Sequence, residues 1–181
     1  MNDSKISVRY AKALFQTAVQ KGSTEAVKAD MDNVLNCINS VPEFKLLLDS
    51  PVFSGSAKIT AFEDMFKSKV NPLTMEFFKL LVQNKRENYL KMICLNYGGY
   101  YNRHNNIKKV SITTAVTPSA QLTSEIAEMV RKANPGSRVE VSTVTDSDII
   151  GGIIIGIDDR RYDASVRTQL ANFKEKLINN K

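Results

Sequence analysis

The chain has 181 residues, 43% of them hydrophobic and 24% charged, which excludes a disordered polymer and leaves room for one domain or two small ones. Its formal charge of +6 and pI near 9.3 raise nucleic acid as a partner, but Lys and Arg are scattered and gather no further than pairs such as Lys85-Arg86 and Lys108-Lys109, so the basicity reads as a solvated surface. No window reaches the roughly eighteen apolar residues of a membrane span, and the opening MNDSKISVRYAKALF has no apolar core of a signal peptide.

Ser4 opens a first helix whose apolar positions Ile6, Tyr10, Ala13, Leu14 and Ala18 share a face, and Gly22 stops it. Ser23 opens a second with Ala26, Val27, Met31, Val34, Leu35 and Ile38 at helical spacing. Pro42 starts a short third holding Phe44, Leu47 and Leu48, ended by Pro51. A fourth runs from Ser56 through Ile59, Phe62, Met65 and Phe66. Pro72 starts a fifth with Leu73, Phe77, Leu80 and Leu81, and Asn84-Lys85-Arg86 ends it. A sixth carries Tyr89, Leu90, Ile93, Cys94, Tyr97, Tyr100 and Tyr101. Cys37 and Cys94 lie in these helical patterns without a CxxC partner and read as reduced core thiols of a cytoplasmic protein.

The pattern changes near 103–109. Lys109–Val116 alternates as a strand, with Val110, Ile112, Thr114 and Val116 on one side. Pro118-Ser119 introduces a helix bearing Leu122, Ile126, Met129 and Val130. The Asn134-Pro135-Gly136 turn follows, and Val139, Val141 and Val144 mark a second strand. Ile153–Ile157 and Arg160–Tyr162 flank Asp158-Asp159 as a tight hairpin. Ser165 then caps a last helix with Val166, Leu170, Phe173 and Leu177 on one face. The fold class is α+β: a six-helix antiparallel bundle over 1–105, then a small α/β domain over 106–181 in the order strand, helix, strand, hairpin, helix.

Catalytic chemistry finds little support. His104 is the lone histidine and has no cysteine neighbour. Asp146, Asp148, Asp158, Asp159 and Asp163 form a dense acidic group, but each sits in a turn where Asp is favoured for backbone reasons. Gly151-Gly152 with Gly156 fits neither phosphate-loop spacing and enters a strand instead of leaving one, so it reads as strand punctuation. Tyr97, Tyr100, Tyr101 and Arg103 are placed to stack on bases, yet at helical spacing they read as core and rim. No cofactor, metal or catalytic residue is expected.

Two segments carry a resemblance to a known family. Arg9-Tyr10-Ala11-Lys12-Ala13-Leu14-Phe15 near the start, and Gly151-Gly152-Ile153-Ile154-Ile155 through Asp163-Ala164-Ser165-Val166-Arg167 to Leu170 near the end, resemble the δ subunits of bacterial F-type ATP synthases, whose mitochondrial counterpart is the oligomycin-sensitivity-conferring protein. The resemblance implies a non-catalytic stator subunit, peripheral on the cytoplasmic face of the bacterial inner membrane and attached to it only through the complex. It implies two partners: N-terminal helices of the α subunit, held in a groove between the first and fifth helices, and C-terminal helices of the b subunits, held by the C-terminal domain.

Both helices have an excess of apolar residues. Tyr10, Ala13, Leu14 and Thr17 can bury one side of helix one while Ala11, Phe15 and Ala18 face elsewhere, and helix five carries Phe77-Phe78 and Leu80-Leu81. The expected groove residues are Tyr10, Ala13, Leu14, Phe77, Leu80 and Leu81. In the C-terminal motif, Gly151, Gly152, Asp163, Ser165, Val166, Arg167 and Leu170 are expected to be structural, Ser165 as a cap with Asp163 beside it. Members of the family often have a basic residue where this chain has Gly156 and a Gly where it has Asp158, which leaves the turn type open. The competing reading is a basic nucleic-acid-binding adaptor with a helical interaction module, which requires a contiguous positive face.

Overall fold

The computed structural model describes the backbone of residues 3–67 and 69–179 and the side chains of 5–67 and 69–178. In α1 (Asp3–Gln20), Ser7, Ala11, Leu14, Phe15 and Ala18 recur at three- and four-residue spacing and are the buried positions. Leu14 and Ala18 are buried as expected, but the buried face is turned toward Ala11 and Phe15, which leaves Tyr10 and Thr17 half-buried and Ala13 exposed. The cap expected from Ser4 lies outside the described side chains, and helical backbone already passes through it. Gly22, at φ +63, closes the helix with Gly22 N–H to Val19 O at 3.1 Å and Ser23 N–H to Ala18 O at 2.9 Å, a Schellman pattern.

In α2 (Thr24–Ser40), Val27, Met31, Val34 and Ile38 face the core, while Ser23 stands at the N-cap position without making a cap bond. Pro42 starts α3 (Pro42–Asp49) as expected. The fourth helix, α4 (Gly55–Phe66), begins earlier than Ser56 because Ser54 accepts the Ala57 N–H at 3.2 Å. Asn71 caps α5 (Pro72–Gln83), which buries one side through Leu73, Thr74, Phe77, Phe78, Leu81 and Val82. Lys85, at φ +55, ends α5 in a second Schellman pattern, and one turn of tight helix at Glu87–Tyr89 leads into α6 (Leu90–His104).

One core joins these helices. Phe62 stacks on Phe78 at 4.8 Å between centroids, Phe44 meets Phe62 and Phe66 edge-on at 5.8 Å, and Met31 Sδ lies 3.6 Å from Cys94 Sγ. Cys94 is buried and Cys37 half-buried, both free thiols; burial pushes the Cys94 thiol up to about 12. A buried ion pair, Lys58 Nζ to Glu87 Oε1 at 2.6 Å, ties α4 to the turn before α6, and Lys58 also donates to Leu48 O. The tyrosines of α6 belong to the bundle: Tyr97 is fully buried with its hydroxyl donating to Thr24 O at 3.1 Å, and Tyr100 stacks on Phe15 at 6.0 Å. Asn96 donates to the Ser7 hydroxyl at 3.2 Å and Phe15 meets the rings of Tyr97 and Tyr100, so α6 packs against α1. α5 packs against α1 as well: the Tyr10 and Phe77 rings meet, and Lys21 Nζ comes to 4.0 Å from Glu76.

The chain divides into two compact units between Asn102 and Arg103, inside the last turn of α6. In the second unit, β1 (Ile107–Thr114), β2 (Arg138–Thr145), β3 (Gly152–Ile157) and β4 (Arg160–Ser165) form one sheet in the order β2-β1-β3-β4. β1 and β2 are parallel, joined by α7 (Ala120–Ala133), and the other pairs are antiparallel. Val110, Ile112, Val139, Val141, Ile153, Ile155 and Ile157 share one face, against Leu122, Ile126 and Val130 of α7. Three expected core positions are exposed: Val116 lies beyond the end of β1, Val144 has the opposite parity to Val139 and Val141, and Met129 points off the buried stripe of α7. The last helix, α8, spans Val166–Asn179.

Candidate functional site

A groove of about 450 Å³ opens between α1 and α5, lined by Arg9, Tyr10, Ala13, Leu14 and Thr17 on one side and Leu73, Glu76, Phe77 and Leu80 on the other. The α1 stripe is available because the core is satisfied by Ala11, Phe15 and Ala18. On α5, Thr74, Phe78, Leu81 and Val82 face inward, and this frees Leu80, which is 46% exposed. The rings of Tyr10 and Phe77 meet edge-on at 6.4 Å and form part of the floor. The volume alone suits a small ligand, but no set of polar groups converges on one point, as a metabolite site needs. An apolar trough between two helices instead fits the exposed face of a third.

Five of the six residues expected in the groove line it: Tyr10, Ala13, Leu14, Phe77 and Leu80. Leu81 does not. It is fully buried, one residue on from Leu80 and therefore about 100° around the helix, facing the bundle interior. Arg9, Thr17, Leu73 and Glu76 complete the lining. The signal for Leu73 and Thr17 was their spacing from Phe77 and from Ala13, while nothing in the sequence marks the charged Arg9 and Glu76 as groove residues.

The C-terminal motif folds into the hairpin and the start of α8. Gly152 has φ +76, and a Cβ there would meet Ala164 O at 2.4 Å, so a backbone conformation and a close approach both require glycine. Gly151 O accepts the Val166 N–H at 2.9 Å, joining the strand entry to the helix. Ser165 Oγ accepts the Thr168 N–H at 3.2 Å, the bond of an N-cap, and Asp163 Oδ1 accepts the Ser165 N–H at 3.0 Å. Hydrogen bonding from Ser165, its hydroxyl first and its backbone N–H second, holds the Asp163 carboxyl below its ordinary value. Arg167 is exposed.

Asp158 occupies the first position of the two-residue turn at φ +50, with the next residue outside that region, which excludes a type I′ turn. Its carboxylate meets Lys108 Nζ at 2.7 Å, and its N–H donates to Lys109 O at 3.0 Å, so the turn is tied to β1. Above Gly156, the Ser111 hydroxyl fills the space a side chain would take. Asp146 caps a single turn through the Asp148 N–H at 3.0 Å. These acids serve the backbone, and among the described residues no group of three or more His, Cys, Asp or Glu side chains is arranged to hold a metal ion.

Beyond its first turn, α8 has no buried face. Leu170, Phe173 and Leu177 are 54%, 61% and 63% exposed, and together with half-buried Val166 they form one stripe at helical spacing. Such a stripe on a folded unit marks an interaction surface.

The protein-family model described as the ATP synthase delta (OSCP) subunit matches residues 6–177. An ATP synthase subunit delta of Christiangramia forsetii is 32% identical over 180 residues, covering 99% of this chain and 97% of its own length. That of Flavobacterium johnsoniae is 31% identical over 179 residues, covering 99% and 100%. Among solved structures, a chain in the Toxoplasma gondii mitochondrial ATP synthase hexamer is similar with a TM-score of 0.78 at 24% identity, covering 95% of this chain and 97% of that one, a likeness of fold.

Proposed function

The chain belongs to the ATP synthase delta (OSCP) subunit family, and from that premise we propose that it is the stator link of an F-type ATP synthase. It holds the α/β catalytic head to the b-subunit peripheral stalk and resists rotor torque during proton-driven synthesis, doing no chemistry itself. The observation that carries this reading is the α1–α5 groove, an apolar trough on two helices anchored in one core. An N-terminal helix of the α subunit lays its apolar face there. Resistance to torque needs many side chains engaged at once on a scaffold that does not yield, and close-packed helices supply that. The α8 stripe supports the second contact: Leu170, Phe173 and Leu177 receive the C-terminal helices of the b subunits. No described helix is long and apolar enough to cross a membrane, so the protein reaches the cytoplasmic face of the inner membrane through its partners. The nucleic-acid adaptor is not favoured, since the family model and the relatives that match nearly the whole chain are those of an ATP synthase subunit.

Titration of the full chain with a peptide of the α-subunit N-terminus tests the groove. Ala13→Asp places a charge on the apolar floor and is expected to weaken binding by about tenfold or more, roughly 1.4 kcal/mol. The unfolding midpoint stays unchanged, because Ala13 is exposed. Equal affinities for the two chains overturn the proposal.

A further inference from the structure

Arg167 belongs to the C-terminal motif, whose residues are expected from the sequence to be structural, yet it is exposed and, among the described residues, pairs with no carboxylate. Nothing described in the fold uses its charge, but its place on α8 gives that charge a context. Val166, Leu170, Phe173 and Leu177 follow one another at spacings of four, three and four residues, the alternation of a and d positions along a coiled-coil seam. On that frame Arg167 and Lys174 both fall at e, within about 20° of each other around the helix. Lys176 falls at g, about 60° beyond Phe173 on the other side. Lys174 and Lys176 are also exposed and, among the described residues, also unpaired with any carboxylate. Glu175, the single acid of α8, falls at f, on the side turned away from the seam. The seam is therefore bordered by cations on both sides, and Ile178 lies outside it, past the Arg167–Lys174 border.

Resting on the stalk reading of α8 above, we propose that this seam takes a helix whose own borders are acidic, and that Arg167, Lys174 and Lys176 select it. Charge complementarity names the occupant. Carboxylates beside the partner's apolar seam settle against these cations, while Lys or Arg at the same places meets like charge. A lipid surface also attracts cations, but a helix that lies on a membrane buries a broad apolar face. Here the arc from Phe173 to Leu170 is only about 60° wide, the width of a helix–helix seam. The apolar residues supply most of the affinity. The cations stand in water at the rim, where charges contribute more to the choice of partner and the speed of encounter than to binding strength.

Two synthetic helical peptides of about three heptads, each with Leu at every a and d position, separate the possibilities. One carries Glu at every e and g position and the other Lys, so like charge keeps each from pairing with itself. Each is titrated into the isotope-labelled full chain, and binding is read from the amide signals of α8, apart from any binding in the α1–α5 groove. The Glu peptide is expected to bind about fivefold or more tighter than the Lys peptide at low salt, the difference shrinking as salt is raised. Arg167→Glu/Lys174→Glu is expected to reverse that preference. The unfolding midpoint stays unchanged, because both side chains are exposed and an acid suits the first turn of a helix. Equal affinity of the two peptides for α8, or a preference that the double variant retains, overturns the charge proposal while leaving the stalk contact standing. Perturbation of α8 by neither peptide removes the stalk reading of α8 and this proposal with it. Perturbation by phosphatidylglycerol vesicles and by neither peptide assigns the cations to a lipid surface and has the same result. The peptide comparison needs no variant, so a poorly folding double variant leaves the proposal open to refutation.

Discussion

Asp30 shows how much a single side chain can organise. It is 5% exposed on α2, yet its Oδ2 accepts the Asn71 N–H at 2.8 Å and the Thr74 hydroxyl at 2.6 Å, so the positive end of α5 is closed by an acid from another helix. Replacing it by alanine leaves a half-buried N–H and a buried hydroxyl unmet, and Asp30→Ala is expected to cost about 2–3 kcal/mol in denaturant unfolding. Asp30→Asn keeps an acceptor and is expected to cost less. In the run Thr24–Ser40 this residue reads as one more solvated acid, because helical periodicity reports faces and not the distant donors a face meets. Lys58, paired with Glu87 from 29 positions away, was hidden for the same reason. Leu81 failed differently: adjacent leucines at 80 and 81 are equal in hydrophobicity, and only the packing of α5 decides which one is left outside.

Elements were more legible than the partners of their side chains. Pro42 and Pro72 mark their helix starts, Ser119 accepts the Leu122 N–H at 3.2 Å, and the Asp158-Asp159 turn joins paired strands. Each is a local signal with a local cause. The α1 stripe was read rotated, with Leu14 and Ala18 correctly inside but Tyr10 and Ala13 in place of Ala11 and Phe15, because small and apolar residues lie on both sides of the helix and only tertiary packing chooses between them. The start of α8 tests how far local chemistry reaches. Ser165→Ala removes the cap and is expected to cost about 1 kcal/mol and fray the first turn. Asp163 adds a pH dependence. Its folded-state carboxyl titrates below the ordinary 3.8, so its contribution is complete above that value and is lost as pH falls through the folded one. Acid titration followed by circular dichroism is expected to show helix loss in that range, and Asp163→Asn to remove this contribution. An unchanged acid limb would assign no capping role to the carboxylate.

At the scale of the molecule, among the described residues, the helical core and the side chains packed on it run from Tyr10 to Tyr101, and those of the sheet core from Val110 to Ile157. Every groove residue lies on α1 or α5. A fragment of residues 1–105 is therefore expected to bind the α-subunit peptide as tightly as the full chain; a loss beyond about threefold, some 0.7 kcal/mol, would show that the second unit contributes. The switch from helical to alternating periodicity was visible near 103–109, since the two periods differ enough to survive noise. What no pattern in the sequence conveys is that α8 leaves Leu170, Phe173, Leu177 and Ile178 in water. A chain synthesised ahead of its partners is adhesive on that side, and its self-association grows with its own concentration. Under the proposed stalk contact, the subunit in excess of its partners is expected to self-associate through this face, which light scattering over a concentration series of the isolated chain measures.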